Sequence, residues 1–274
     1  MTTRHVEVIA HRGASGDVAE HTFGAYQRAL EAGADAVECD VRLTRDGVLV
    51  CVHDRRVDRT SCGRGVVSTL EMADLADLDF ASWHRRGSLS TDPLLTAGWE
   101  EPDTDAGRIL TLERLLGLLL DHPKSTSIAI ETKHPTRYAG LVEKTLVELL
   151  QSYGLASPPS LEESRVRVMS FAPTSLRRIH ALAPQLPTVL LMRRMVVRLR
   201  TGALPPRVGI AGPSLELLRR FPDYVERVHD RGHAVHVWTV DDPADVDYVL
   251  DLGVDAVITN RPRQVARQVR RTKV

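Results

Sequence analysis

Short runs of apolar and β-branched residues recur along the chain at 6–10, 36–42, 48–53, 128–133, 166–171, 187–192, 207–212, 233–240 and 256–260. Between most of them, apolar residues return at helical spacing, notably over 22–32, 111–121, 138–152, 174–182, 214–231 and 242–251. Short apolar runs bounded by turn-formers read as strands, and strands alternating with helices read as βα units of a mostly parallel sheet. The strand candidates exceed by one the eight of a (β/α)8 barrel. The second and third are joined only by Leu43-Thr44-Arg45-Asp46-Gly47, which is too short for a crossover helix and contains an Asp-Gly turn signal. They are expected to form a hairpin or one bent unit, and the pattern does not say which strand is extra. The stretch 54–110 breaks the rhythm. It holds turn-formers such as Cys62-Gly63-Arg64-Gly65, an amphipathic segment near 69–78, and no strand–helix repeat. A structureless connection of that length is uncommon, so it reads as an insertion capping the active face of one domain spanning 1–274. The basic end, Arg263–Val274, is expected to finish a last helix.

Charged residues gather where the strand candidates end. His11-Arg12 follows the first, Glu38-Cys39-Asp40 lies late in the second, His53-Asp54 ends the third, and Glu131-Thr132-Lys133 ends the fourth. An open doubly wound sheet would place a glycine-rich phosphate loop near its first strand, and His11–Gly16 contains only a Gly-x-x-Gly pair. A barrel explains better why such groups sit at the C-terminal ends of several strands. Period-two alternation puts Glu38 and Asp40 on one face of their strand and Glu131 and Lys133 on one face of theirs.

Three carboxylates at one mouth raise one another's pKa values unless they share protons or hold a divalent cation. An all-oxygen set suits Mg²⁺ or Ca²⁺ better than Zn²⁺. The plainer alternative is that these acids pair with Arg12, Lys133 or surface arginines. Arg12 can fork onto two phosphate oxygens, and Lys133 adds a second positive charge. His11 and His53 titrate near neutrality and suit proton transfer. Trp238 is expected either to face the mouth, where it could pack on the substrate's alcohol portion, or to pack in the barrel core. Phe171 is expected in the core, and His21 at a helix start or behind a site residue. Together the groups suit metal-assisted cleavage of a phosphate ester.

The chain has 274 residues, of which 43% are hydrophobic, enough for one large core. Lys and Arg number 36 and Asp and Glu 36, a formal net charge of zero, which argues against broad capture of nucleic acid or anionic membrane. The three cysteines show no metal-ligand spacing. The N-terminus lacks the apolar run of a secretory signal, and no apolar stretch approaches the roughly 20 residues that span a bilayer. The expectation is a soluble cytoplasmic protein with a small-molecule substrate, no nucleic-acid partner and no stable membrane insertion.

The order of these motifs resembles the glycerophosphodiester phosphodiesterase family. The resemblance begins with His11-Arg12-Gly13, a Glu-x-Thr helix start at Glu20–Thr22, and Gly33-Ala34-Asp35 through Glu38 to Asp40-Val41. It continues through Thr44-x-Asp46-Gly47, His53-Asp54, Asp58-Arg59-Thr60, Leu78-Asp79, Trp83 and Thr111-Leu112-Glu113. Farther on come Glu131-Thr132-Lys133, Ser170-Phe171, Val237-Trp238-Thr239-Val240 and Gly253–Asn260. It implies a (β/α)8 TIM barrel with an inserted cap and metal-dependent release of sn-glycerol 3-phosphate from a glycerophosphodiester. It further implies that Glu38, Asp40 and Glu131 ligate one Mg²⁺ or Ca²⁺, that His11 and His53 move protons, and that Arg12 and Lys133 hold phosphate. Where the family usually reads Pro-Glu-Asn-Thr, this chain has Ala19-Glu20-His21-Thr22. The substituted histidine touches only a hydrogen bond at the helix start. Rival expectations are a lysophospholipase-D-like barrel, for which the insertion offers only Leu94, Leu95 and Trp99 as an apolar ledge, and a catalytically silent phosphate- or metal-binding barrel.

Overall fold

The computed structural model describes residues 5–87, 107–134 and 140–271. The chain runs β1 (Glu7–His11), α1 (Phe23–Glu31), β2 (Ala36–Leu43), β3 (Leu49–Cys51), α2 (Met72–Ala76), α3 (Ser82–Gly87) and α4 (Leu112–Asp121). It continues through β4 (Ser127–Thr132), α5 (Leu141–Ser152), β5 (Val166–Ser170), α6 (Pro173–Leu182), β6 (Thr188–Met192) and β7 (Ile210–Pro213). The last elements are α7 (Leu215–Arg220), α8 (Tyr224–His229), β8 (Ala234–Val237), α9 (Pro243–Asp251), β9 (Ala256–Thr259) and α10 (Pro262–Arg271). Eight parallel strands follow one another around the sheet from β1 through β2, β4 and onward to β9, and β9 pairs with β1 to close a (β/α)8 barrel. The ninth strand is β3. It pairs antiparallel with β2, Val41 opposite Cys51, and hangs outside the barrel as the second arm of a hairpin.

Side-chain parity divides the molecule. Ile9, Ala36, Ala129, Met169, Val189, Leu191, Ala256 and Ile258 fill the lumen. Alternate residues such as Ala10, Val37, Cys39 and Ile130 pack outward against helices. On that outer side α4 lays down Leu112, Leu115, Leu116 and Leu119, all nearly inaccessible, each contributing about 1.5–3 kcal/mol of transfer free energy. Helix starts follow the expected chemistry, with Thr22, Thr111 and Ser214 accepting hydrogen bonds from the backbone N–H three residues on. One expectation fails. The continuous helical spacing over 214–231 is two helices, α7 and α8, because Pro222 has no N–H to donate and forces Phe221 out of the helical region, to φ −138° and ψ 70°.

In the stretch after β3, α2 and its flanking turns enclose a small separate core. Val57, Val67, Leu75, Phe80 and Ile109 pack there against Val50 and Val52 of the β3 arm. Residues 88–106, with Leu94, Leu95 and Trp99, lie outside the described residues, as do the first residues of the 138–152 helix and the chain's final three. Among the described residues no helix is long and apolar enough to cross a membrane.

The floor of the lumen holds a different kind of group. Arg167 on β5 makes a two-pronged pair to Glu7 on β1, at 2.5 and 2.7 Å, while His236 on β8 is 4% exposed. Burial, aided by Arg167, holds the His236 imidazole neutral far below its ordinary pKa. The unfolded chain protonates this histidine as pH drops below about 6.5, and the folded chain does not. The unfolded state therefore binds more protons, and stability falls with falling pH by up to about 1.4 kcal/mol per unit from this residue. A His236→Leu variant should lose that dependence, so its stability relative to the parent should rise steadily between pH 6.5 and 5 in urea titrations. A constant difference across that range would show that His236 does not set the acid limb.

Candidate active site

The site is assembled at the C-terminal ends of the strands. Register puts His11 opposite Glu38 and Asp40 opposite Glu131, so lumen parity on three adjacent strands brings the charged residues together. The turn after β1 is held tightly. Gly13 adopts φ +80°, and a Cβ there would lie 2.6 Å from the backbone of Ala25 in α1, so only glycine lets the turn seat on that helix. The same turn holds Arg12 at φ 58°, a left-handed conformation that a side-chain-bearing residue keeps only when its surroundings impose it. Here the Arg12 N–H donates to the Glu38 backbone carbonyl and to its carboxylate Oε2, at 3.1 and 3.0 Å.

Glu38, Asp40 and Glu131 are buried, and each offers an oxygen within 4.8 Å of the others'. Cations and hydrogen-bond donors surround them unequally. Asp40 has Lys133 Nζ at 2.9 Å, Arg12 Nε at 3.1 Å and His21 Nε2 at 2.9 Å. Burial alone would raise the Asp40 pKa, but Lys133, the His21 hydrogen bond and Arg12 together hold it well below the usual range. Glu38 is less compensated, and burial followed by repulsion from Asp40 pushes its pKa well up. The same two causes raise Glu131 to about 7, despite Lys133 at 2.8 Å. A buried cluster of three oxygen donors, two of them short of positive charge, fits a hard divalent cation. The plainer pairing with Arg12 and Lys133 is present as well. It neutralises Asp40 far more than the two glutamates.

His11 Nδ1 lies 2.7 Å from Asn260 Oδ1, which also accepts from Ser15 Oγ at 2.8 Å. Asn260 is oriented through its Nδ2, which donates to Asp241 at 2.6 Å. An amide oxygen can only accept, so His11 carries its proton on Nδ1 and Nε2 is the basic nitrogen. Burial first, then Arg12, lower the His11 pKa to about 4. His53 has a different partner. Its Nδ1 lies 2.6 Å from Asp54 Oδ1, and its backbone carbonyl receives two hydrogen bonds from Arg42. Burial lowers its pKa too, while the Asp54 hydrogen bond opposes the shift. Arg59, from the stretch after β3, donates to Asp54 and to both oxygens of Glu20, and Glu20 accepts in turn from Arg12. These pairings outweigh burial and hold Glu20 and Asp54 near 2.

The sequence did not reveal this Arg12–Glu20–Arg59–Asp54 chain, because its members are neither periodic nor adjacent. His21, expected to sit at a helix start or to support the site, does both. It is 5% exposed, at φ 60°, and reaches Asp40 from one nitrogen and the Tyr26 hydroxyl, 2.8 Å away, from the other. Burial lowers the His21 pKa, its Nε2 donates to Asp40, and its Nδ1 lies against the Tyr26 hydroxyl, which itself donates to the Glu38 carbonyl at 3.2 Å. Groups that orient a ligand in this way are typically worth 10- to 100-fold in metal affinity or activity. A His21→Ala variant is therefore expected to need roughly 10- to 100-fold more divalent ion for half-maximal activity. An unchanged metal titration would remove His21 from the site.

Trp238 follows β8, half-buried, with its indole N–H donating to the Gly212 carbonyl at 2.7 Å. Phe171 does not lie in the core as expected. It is 38% exposed and stands edge-on to Trp238, with centroids 5.4 Å apart, because the chain leaves the barrel at Ser170. Arg193, two residues beyond Leu191 in lumen parity, stacks over both rings at 5.4 and 5.5 Å.

Comparison with known proteins gives a consistent result. Residues 11–264 match the model of the glycerophosphoryl diester phosphodiesterase family. A probable glycerophosphodiester phosphodiesterase 1 of Mycobacterium tuberculosis is 46% identical over 262 residues, covering 94% of this chain and 90% of that protein. A glycerophosphodiester phosphodiesterase of Bacillus subtilis is 35% identical, covering 96% and 86%. Among solved structures, an Oleispira antarctica phosphodiesterase in complex with the product sn-glycerol-3-phosphate has the same fold, with a TM-score of 0.78, 22% identity, and coverage of 96% of both chains.

Proposed function

The chain belongs to the glycerophosphoryl diester phosphodiesterase family of phosphoric diester hydrolases, and on that premise we propose that it hydrolyses glycerophosphodiesters to sn-glycerol 3-phosphate and an alcohol with the help of one bound Mg²⁺ or Ca²⁺. The observation that carries this reading is the pairing of two differently supported imidazoles with the Glu38–Asp40–Glu131 cluster at one barrel mouth. A catalytically silent barrel would be expected to lack one of these groups. A divalent cation on the three carboxylates would supply the positive charge that a phosphodiester needs as its oxygens become more negative.

Arg12 and Lys133, beside the cluster, bind and orient the phosphate, and their preformed charges stabilise the transition state more than the ground state. His11, neutral and basic at Nε2, accepts the proton of the attacking hydroxyl, whether that belongs to the substrate's own glycerol or to water. His53, backed by Asp54, holds a proton more readily and gives it to the departing alkoxide. Trp238 packs against the carbon portion of the substrate. The stretch after β3 contributes Arg59 to the network that supports His53. With Mg²⁺ or Ca²⁺ supplied, purified protein should release glycerol 3-phosphate from glycerophosphocholine. Activity should disappear in excess chelator and return on adding either ion back. Full activity in excess chelator would overturn the metal assignment, and no activity under any ion condition would overturn the substrate.

A further inference from the structure

A formal charge of zero conceals a strong segregation of charge. Between Ser164 and Leu215 the sequence has nine arginines and neither an aspartate nor a glutamate. Several of these arginines are structural. Arg167 pairs with Glu7 on the lumen floor, Arg178 pairs with Glu143, and Arg165 donates to backbone carbonyls. Four others, Arg193, Arg194, Arg198 and Arg200, fall in the connection leaving β6, and all four are exposed. Among the described residues none of them lies within ion-pair distance of a carboxylate. Between them the chain presents Val196, 50% exposed, and Val197, 75% exposed.

Position gives this patch its meaning. Arg193 stacks over Trp238 and Phe171, so the connection starts at the rim of the barrel mouth. Its far end is anchored. Leu199 is buried beside Tyr224 and Val228, the Arg200 carbonyl accepts from Arg227, and the positive-φ Gly202 sits against the Arg227 backbone. The two valines therefore protrude from an ordered support, and among the described residues nothing covers them.

We propose that residues 193–200 form a docking surface for an anionic phospholipid bilayer, which holds the barrel mouth toward the lipid headgroups. Guanidinium groups meet the negative headgroups, while the valine tip enters the boundary between headgroups and acyl chains. This combines the two weak signals that reversible membrane attachment requires. An apolar tip ringed by arginines suits a bilayer better than nucleic acid, for which exposed valines offer no partner. The proposal goes beyond the hydrolytic reading and does not depend on it, because binding is measured on lipid that is not cleaved.

The test is co-sedimentation of the purified protein with vesicles of phosphatidylcholine alone and of equimolar phosphatidylcholine and phosphatidylglycerol. Hydrolysis of soluble glycerophosphocholine serves as the control for folding. The parent should bind only the anionic vesicles and release at high ionic strength. Arg194→Gln with Arg198→Gln should weaken binding about 25-fold, roughly 5-fold for each positive charge removed. Val196→Ser with Val197→Ser should weaken it by roughly 10-fold or more through lost apolar burial. Both double variants should keep soluble activity, since none of the four residues belongs to the catalytic machinery. Absent binding of the parent to anionic vesicles would overturn the proposal, as would unchanged binding by either double variant. Heparin binding that matches vesicle binding and ignores the valine changes would assign the patch to a soluble polyanion instead.

Discussion

Replacing Glu38 with glutamine is expected to lower phosphodiesterase activity by more than ~10²-fold, beyond the 10- to 100-fold typical of groups that merely support a ligand. Glutamine keeps the shape, and its side-chain oxygen can still accept from the Arg12 N–H that now meets Oε2 at 3.0 Å. What it removes is one negative charge from a set of three within 4.8 Å. The same change should leave thermal stability unchanged or raise it. In the parent, burial and Asp40 already disfavour the Glu38 carboxylate, so a neutral amide relieves repulsion without losing the hydrogen bond. Opposite signs for activity and stability distinguish a metal-binding carboxylate from a structural one. Loss of both together, in an activity assay and a thermal melt on the same preparation, would show that Glu38 holds the barrel together instead.

The second large effect concerns the two imidazoles. On glycerophosphocholine, His11→Ala and His53→Ala should each cost on the order of 10²- to 10⁴-fold in kcat. On a nitrophenyl ester of glycerol phosphate the two should separate. Nitrophenolate departs without a proton, so His53→Ala should fall within roughly 10-fold of the parent on that substrate while His11→Ala keeps its full loss. The asymmetry rests on the partners: a carboxylate behind His53 favours its protonated form, and an amide oxygen with burial behind His11 favours its neutral form. Equal losses for both variants on both substrates would discard this division of labour.

The barrel and most of the candidate site can be read from the sequence because both follow one alternation. Glu38 and Asp40, or Glu131 and Lys133, need only a strand and its parity to be placed together. The same rule applied to β9 and β6 points to Asn260 and Arg193, each two residues beyond a lumen residue, although neither stands out by composition. Features that depend on pairing rather than period stayed hidden. The short Asp46-Gly47 turn announced a hairpin, but nothing local said which of its arms is the extra strand, since that lies in the partners each arm chose. His21 could be placed at a helix start or in support of the site, but its partner Asp40 could not be named, because that contact is made between a turn and a strand 19 residues later. The split between α7 and α8 was available in Phe221-Pro222, where the apolar spacing outvoted the proline.

The hairpin has a further consequence for how this fold can change over time. His11 is fixed to a strand that closes the barrel, whereas His53 stands at the end of an arm bonded to β2 on one side and, through Val50–Thr111 and Cys51–Leu110, to the chain returning to α4 on the other. That arm shares its small core with the stretch that follows it, through Val50, Val52, Val57, Val67 and Leu75. Arm, imidazole and the stretch supplying Arg59 thus make a contiguous cassette, grafted between two barrel elements by one short turn and one return strand of chain. A recombination event that exchanged this cassette would replace His53, the proposed proton donor, together with the surface beside it. It would leave the carboxylate trio and His11 untouched. New leaving groups could then be acquired with a matched acid in a single exchange, without reopening the barrel.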